Sequence, residues 1–284
     1  MNKTAFFTMD VETFFDTSCI RACNAPYRDD CDGKDGFSFF LGLLEKYNIH
    51  ATLFLTKTSI DKWGDEIERA KNSGHELAVH ALVHESPVEY SDEKFVSDMC
   101  EMRDIIKNRF GVNPVGYRAP CFGLNDRLLE KLKELGFLYD SSALNYNKAI
   151  GAGNVDLSGF KSLNDIVYEN GDFYEFKPQT AHSFFGNIPV CGGGYTRLLP
   201  WNVIKPALRR TIDNSDGYLF YVHPFEMSAQ KFPKYKDLKL TQKMFIDCGR
   251  KKYINRVEKI IGLLKENGYE FLSVAEYIDK YTGV

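Results

Sequence analysis

Four groups of polar side chains in this chain have the residue types needed to hydrolyse an amide bond with a bound metal ion. Each group comes at the end of an apolar run. Two imidazoles and a carboxylate can hold a zinc-like ion and leave one coordination position open for water. A second carboxylate can accept a proton from water, and a separate histidine can protonate the departing amine. The groups are Asp10 with Glu12, His80 with His84, Arg118 with Pro120, and His223.

The acidic pair Asp10 and Glu12 follows the first predicted strand, residues 5–9. Residues two apart on a strand point to the same side, so both carboxylates are expected to face one site. Two acids this close repel each other unless a cation or an arginine lies between them. The alternative interpretation is a pair of solvated loop acids.

The histidine pair His80 and His84 follows the predicted strand at residues 76–79. We expect a helical turn after this strand to bring His84 onto the same face as His80. Imidazoles at this spacing chelate zinc-type metals. Residue 81 is alanine, so the glutamate of a His-Glu-x-x-His protease is absent. Both histidines could instead be structural, and His75 is predicted to be so.

Three further residues are predicted to support the reaction. Arg118 is expected to keep Asp10 ionised through a charge-assisted hydrogen bond, although a buried stabilising arginine is an open alternative. His223 ends the apolar run at residues 219–222, where an α/β barrel carries its chemistry. Asp140, at the end of another predicted strand, is expected to contact His223 and raise its pKa. A structural histidine beside a proline is the alternative for His223.

Apolar, β-branched or aromatic runs alternate with helical patterns along the whole chain. This alternation predicts βαβ units, a mostly parallel sheet and therefore an α/β fold. No low-complexity linker divides the chain, so we predict one domain over residues 1–284. The predicted strands are residues 5–9, 51–55, 76–79, 116–118, 137–140, 173–176, 219–222 and 270–274, and the predicted helices are residues 37–47, 60–72, 92–110, 126–135, 202–213, 253–267 and 275–281.

Two segments interrupt the alternation, at residues 17–36 and 145–170. Long loops of this kind are usually lids or binding loops, so we expect both to lie over the barrel mouth. Cys19, Cys23 and Cys31 in the first loop could bind a metal, but they lack a fourth ligand and a Cys-x-x-Cys spacing.

The overall charge argues against nucleic acid as a partner, because the net charge is −3 and the pI about 6.1. Residues 231–252 are a local exception, with eight basic and two acidic side chains. They form either a solvated surface or a site for the phosphates of a lipid or nucleotide carrier.

No stretch resembles a signal peptide or an integral membrane segment, and the seven cysteines have no disulfide spacing. We therefore expect a cytoplasmic protein.

A run of three glycines at residues 192–194 could be mistaken for a phosphate-binding loop. It lacks the lysine and serine or threonine of that motif and does not clearly open a helix. We interpret it as a tight loop that needs positive φ angles.

Together, these motifs resemble the polysaccharide deacetylases of carbohydrate esterase family 4. That family has an acid pair, then His-x-x-x-His, Arg-x-Pro, an aspartate motif and a late strand ending in histidine, in the order found here. The segment from Tyr221 to Glu226 and the Asp-Val-Glu sequence at residues 10–12 resemble a cytoplasmic subgroup tied to bacterial exopolysaccharide and O-antigen gene clusters.

The resemblance implies a distorted (β/α) barrel of about seven or eight strands that removes an N-acetyl group from an amino sugar. The substrate would be a glycan, a lipid-linked sugar or a nucleotide-linked sugar. The resemblance also implies a role for each site residue. Glu12, His80 and His84 bind one divalent metal, with Zn²⁺ the first choice; Asp10 is the base, positioned by Arg118; His223 is the acid, supported by Asp140; and the backbone N–H of Cys121 helps to stabilise the oxyanion.

Two other functions remain open from the sequence. Related folds hydrolyse cyclic amides such as allantoin, sometimes without a metal. A catalytically silent sugar-binding relative is the second possibility, and Glu12 favours it because the family usually has aspartate at this metal ligand.

Overall fold

The computed structural model describes residues 3–144, 153–183 and 186–282. A large curled sheet lies at its centre and helices pack around it. The strands are β1 (Thr4–Val11), β2 (Ala51–Thr56), β3 (Glu76–Ala81), β4 (Gly116–Tyr117), β5 (Tyr139–Asp140), β6 (Lys161–Ser162), β7 (Val167–Asn170), β8 (Phe173–Phe176), β9 (Thr180–Ser183), β10 (Gly186–Pro189), β11 (Gly217–Val222) and β12 (Glu270–Phe271).

The helices occupy most connections between the parallel strands. Short 3₁₀ turns lie at Phe14–Asp16, Asp29–Cys31, Pro87–Glu89, Pro120–Phe122 and Arg250–Lys252. The α-helices are α1 (Ser18–Arg21), α2 (Lys34–Tyr47), α3 (Lys57–Asn72), α4 (Asp92–Phe110), α5 (Asp126–Glu134), α6 (Gly193–Leu198), α7 (Trp201–Asn214), α8 (Pro224–Met227), α9 (Leu240–Asp247), α10 (Tyr253–Glu266) and α11 (Val274–Thr282). Among the described helices, none has both the length and the hydropathy required to cross a bilayer.

The main sheet has the strand order β11-β1-β2-β3-β4-β5-β8-β7-β6. The strands from β11 to β8 run parallel, β7 and β6 pair antiparallel beyond them, and β12 pairs with the start of β1. The predicted α/β class and distorted barrel are therefore confirmed, in the form of a curled sheet that stays open at one side.

Strand β1 determines which side chains reach the barrel interior. All eight of its residues are buried, as expected for a parallel strand covered on both faces. Phe7 and Met9 belong to the core beneath the helices, whereas Phe6 packs among interior aromatic rings such as Tyr277. Because side chains alternate along a strand, Asp10 lies on the interior side with Phe6.

A side-chain amide bridges the open side of the barrel. Oε1 of Gln179 accepts a hydrogen bond from the backbone N–H of Leu219 at 3.2 Å, and its Nε2 donates to the carbonyl of Gly217. Both partners lie on the edge strand β11. Gln179 thus connects the chain after β8 to β11. It supplies hydrogen bonds to backbone groups of β11 that no neighbouring strand pairs with.

The predicted strands and helices are all present, with ends that differ by a few residues. The antiparallel strands β6, β7, β9 and β10 and the short helices α1, α6, α8 and α9 were not predicted. Gly192 and Gly193 have φ angles of 121° and 56°, which confirms the positive φ expected there, but the helix α6 begins at Gly193. The expectation that this run opens no helix is therefore wrong.

The predicted second lid falls partly on residues 145–152, which lie outside the described residues. Its remainder includes β6 and β7. The interpretation of residues 1–284 as one domain stays a prediction.

Candidate active site

A cavity of about 450 Å³ opens at the carboxyl ends of the parallel strands. Six predicted site residues line it, namely Asp10, Glu12, His80, His84, Cys121 and His223. Arg118 lies behind this wall and is fully buried. The other lining residues come from the segment after β1, the turn after β4, the strand β11 and the helices α8 and α9: Thr17, Ser18, Cys19, Phe122, Tyr221, Phe225, Thr241, Gln242 and Phe245.

Three candidate metal ligands meet at one side of this cavity. Glu12, His80 and His84 are buried, and each has a ligand atom within 4.8 Å of the ligand atoms of the others. His80 lies on β3, and His84 lies in a bend after β3 rather than in the helical turn that was predicted. The bend still directs the chain back towards His80, and the centroids of the two imidazole rings are 5.2 Å apart.

His80 is held in the form that can bind a metal. Its Nδ1 lies 2.7 Å from the carbonyl oxygen of Arg118. A carbonyl only accepts, so Nδ1 carries the hydrogen and Nε2 keeps its lone pair. Burial lowers the pKa of His80 to about 4, which keeps the ring neutral at ordinary pH. A neutral imidazole is the form that coordinates a metal.

Glu12 and His84 have the contacts expected where a cation belongs. Nε2 of His84 lies 2.6 Å from Oε2 of Glu12, yet this buried oxygen makes no hydrogen bond within the described part of the chain. Burial raises the pKa of Glu12, but the nearby histidines, His84 foremost, lower it by more than burial raises it. The carboxylate is therefore ionised. A buried anionic oxygen beside two imidazoles fits a divalent cation.

Asp10 is paired with Arg118, as the sequence predicted. Nη1 of Arg118 donates to Oδ1 of Asp10 at 2.7 Å and to the hydroxyl of Thr8 at 2.8 Å. Nη2 donates to Oγ of Ser141 at 2.9 Å, and the guanidinium lies over the ring of Phe54. Burial raises the pKa of Asp10, but the charges of Arg118 and of nearby histidines lower it to a value below the usual range. Asp10 is therefore a carboxylate.

Asp140 does not support His223, so that prediction is wrong. Its two oxygens accept hydrogen bonds from the hydroxyl and the N–H of Ser142, at 2.7 and 2.8 Å. Ser142 in turn accepts from the N–H of Ala119 at 2.8 Å. Burial raises the pKa of Asp140 to about 6. Asp140 thus connects the ends of β4 and β5, next to the chain that holds Arg118.

The partner of His223 is Glu226. Nδ1 of His223 lies 3.0 Å from Oε2 of Glu226, and the same oxygen accepts from the backbone N–H of His223 at 3.2 Å. The carboxylate fixes the hydrogen on Nδ1, and Nε2 lies 3.7 Å from Oδ2 of Asp10. Burial lowers the pKa of His223, but the charges of Glu12, Glu226 and Asp10 outweigh it and raise the pKa to about 9. The imidazole is therefore protonated at neutral pH.

Glu226 is itself paired with Arg197, and both side chains are fully buried. Nε of Arg197 donates to Oε1 of Glu226 at 3.0 Å, and its other nitrogens donate to the carbonyls of Phe245 and Cys248. A line of alternating charges therefore crosses the site, formed by Arg118, Asp10, His223, Glu226 and Arg197.

Sequence reasoning gave no role to Glu226 or Arg197. A usable signal was present for Glu226, which lies three residues after a histidine at the start of a helix that has proline at its first position. A glutamate at the third helical position usually turns back to the residue before the helix. No comparable local pattern marks Arg197.

Cys121 lies in the turn Pro120–Phe122 with a φ angle of 57°, and its Sγ is 3.4 Å from Oγ of Ser18. Its predicted role in oxyanion binding stays a prediction.

In the first loop, Cys31 is buried and Sγ of Cys23 contacts the carbonyl of Cys19. These three cysteines form no metal-binding group within the described ranges.

Two family models match this chain. The polysaccharide deacetylase model matches residues 28–139, and a domain of unknown function (DUF3473) matches residues 151–279. The chain is also similar to the peptidoglycan deacetylase of Helicobacter pylori, with 30% identity over 112 residues. The polysaccharide deacetylase match is therefore confined to residues 28–139, less than half of the chain. The Helicobacter match covers 39% of this chain and 38% of that protein, and this chain spans less than half the length of the first curated relatives that it matches.

Two solved structures of other proteins share the fold. A Mycobacterium smegmatis protein named as a polysaccharide deacetylase has a TM-score of 0.65 and 18% identity, and the alignment covers 100% of this chain and 92% of that one. A family 4 acetyl xylan esterase from Clostridium thermocellum, solved with a cobalt ion, has a TM-score of 0.56 and 15% identity, with 99% and 93% of the two chains covered. At these identities the likeness establishes the fold alone.

Proposed function

We propose that this protein is a metal-dependent hydrolase that removes the N-acetyl group from an amino sugar. One observation carries the proposal: an ionised Asp10 and a protonated His223 line the same cavity as the Glu12, His80 and His84 group. An acid and a base of opposite charge at one reaction centre are what amide hydrolysis requires. The similarity to peptidoglycan deacetylases over part of the chain supports the same reaction.

Glu12, His80 and His84 would hold one divalent cation, with zinc the first choice for this donor set. The ion would supply Lewis acidity that polarises the acetamide carbonyl. Glu12 is held ionised and His80 neutral before any ion arrives, so neither group must lose a proton to bind it.

Asp10 acts as the general base. Arg118 fixes one of its oxygens, so the other, Oδ2, is left to accept a proton from water as the water oxygen forms a bond to the acetyl carbon. His223 acts as the general acid. Its Nε2 carries the second hydrogen of the imidazolium and gives it to the nitrogen of the sugar as the carbon–nitrogen bond breaks. Acetate and a free amine leave the site. The N–H of Cys121 is proposed to stabilise the oxyanion.

The substrate is proposed to be an amino sugar of a bacterial surface glycan or its lipid- or nucleotide-linked precursor, deacetylated in the cytoplasm. The Asp-Val-Glu motif at residues 10–12 and the Tyr221–Glu226 segment support this subgroup. The cavity is bordered by the loop after β1 and by α9 rather than enclosed, which leaves room for a carrier beyond the sugar.

Acetate release tests the proposal. The protein should release acetate from N-acetylhexosamine compounds, lose that activity with a chelator, and regain it with added Zn²⁺. Hydrolysis of allantoin without acetate release would identify a cyclic-amide hydrolase. Tight sugar binding with no turnover at any metal concentration would identify a silent sugar-binding relative.

A further inference from the structure

The charge of residues 231–252, called the basic segment here, is not compensated within the chain. The segment has eight basic and two acidic side chains, although the whole chain has a net charge of −3. In the described part of the chain, the seven lysines of the segment form no ion pair with a carboxylate, and Arg250 contacts Asp247 at 4.0 Å. Ten lysines elsewhere do form such pairs.

Helix α9 of the basic segment also exposes large apolar side chains. Leu240 is 74% exposed and Met244 is 53% exposed. They are four residues apart, so they lie on one side of the helix. Thr241 and Phe245, one position further on, line the cavity. The exposed apolar strip is therefore adjacent to the cavity mouth.

The apolar surface continues beyond α9. Leu198, which is 40% exposed, and Phe245 both lie against Gly194 at the start of α6. Lys236 and Lys239 are exposed, and Lys239 directly precedes Leu240 along the chain. The surface thus combines exposed apolar side chains with unpaired lysines around one edge of the cavity.

We propose that the basic segment docks on an anionic lipid surface. Leucine and methionine side chains can enter the boundary between headgroups and acyl chains, while neighbouring lysines reach lipid phosphates. A soluble anion would account for the lysines but would leave Leu240 and Met244 without a partner. Docking would bring the cavity mouth to the lipid surface. The proposal does not depend on the reaction proposed above, because it concerns binding alone.

Vesicle sedimentation with the full chain tests the docking. We expect binding to vesicles that contain phosphatidylglycerol, little binding to pure phosphatidylcholine, and weaker binding at high salt because the charges are screened. Replacing both lysines, Lys236→Gln with Lys239→Gln, should lower the partition coefficient roughly 30-fold. Replacing the apolar pair, Leu240→Ser with Met244→Ser, should also release the protein from anionic vesicles.

Matched controls separate local docking from overall charge. Lys107→Gln with Lys265→Gln makes the same change in charge in the last turns of α4 and α10 and should leave binding nearly unchanged. Phe39→Ser removes an exposed apolar side chain from α2 and should also leave vesicle binding nearly unchanged. Equal binding to neutral vesicles, or equal losses in test and control variants, would overturn the proposal. Binding of inorganic diphosphate through Lys236 and Lys239 with no vesicle binding would overturn it in favour of a soluble anion.

Discussion

Nδ1 of His223 contacts Oε2 of Glu226 at 3.0 Å, so the acid and its counter-charge lie within a single turn of the chain. Burial raises the pKa of Glu226, but His223 and then Arg197 lower it to below its usual value. The carboxylate therefore stays ionised and keeps the imidazole charged. Glu226 is three residues after His223, so the short segment between them, rather than a separate strand, holds this pair at a fixed distance.

The Glu226→Gln variant should move the basic limb of the pH–activity profile to lower pH. His223 must be protonated to act as the acid, so activity falls as the pH rises through its pKa, which nearby carboxylates raise to about 9 in the chain without a bound cation. Glutamine keeps the length of the side chain but removes the negative charge that favours the imidazolium. The profile of kcat measured from pH 6 to pH 10 gives the shift.

Asp140→Asn is the control for this variant. Asp140 contacts Ser142 rather than His223, so its replacement should leave the basic limb in place. A basic limb that moves in the Asp140 variant and not in the Glu226 variant would restore the role first predicted for Asp140.

The His223→Ala variant should lose turnover selectively. An amine must be protonated as it leaves, whereas the leaving group of an activated acetate ester needs no proton. We expect a loss of about 10²- to 10⁴-fold on N-acetyl sugars and a much smaller loss on p-nitrophenyl acetate. Equal losses on both substrates would make His223 a binding or packing residue.

Replacing His80 and His84 by alanine should remove the bound metal. These two imidazoles supply two of the three predicted ligands, and the remaining carboxylate would bind an ion weakly. Elemental analysis of the purified protein gives the metal content. His50→Ala removes an imidazole that pairs with Glu276 away from the site and should leave the metal content unchanged.

Metal analysis should also distinguish the role of Asp10 from that of Glu12. Asp10→Asn should keep the metal and lose most turnover, because it removes the base and not a ligand. Glu12→Gln should lower the metal content. If the metal disappears in the Asp10 variant and persists in the Glu12 variant, the two roles are reversed.

Arg197→Met should destabilise the fold strongly. It leaves the fully buried carboxylate of Glu226 without its arginine, and removing one partner of a buried ion pair costs about 3–5 kcal/mol. Urea unfolding followed by circular dichroism measures the change. Arg28→Met breaks an exposed pair with Asp30 and should leave the midpoint unchanged. A similar midpoint for both variants would show that Arg197 is not needed for stability.

Most of the site could be predicted because its residues lie where parallel strands end. Asp10, His80 and His223 each follow or end an apolar run, and a sheet of parallel strands brings such positions to one edge. Arg118 comes at the end of the fourth predicted strand, and the predicted contact of its guanidinium with Asp10 is present.

The errors came from contacts that periodicity does not encode. Asp140 and Glu226 both follow strand patterns, and only the path of the chain after β11 determines which one reaches His223. His84 was expected in a helical turn, but a bend achieves the same convergence. The strands β6 and β7 are short and partly exposed, so they lack the apolar runs that marked the central strands.

The contacts of Arg197 have a consequence for engineering. Its guanidinium binds the carbonyls of Phe245 and Cys248 at the end of α9 while it holds Glu226. A designer who grafts the α9 segment of another enzyme to change substrate preference would disturb these carbonyls as well. The acidity of His223 would then change with the graft, and substrate range and pH optimum could not be altered independently.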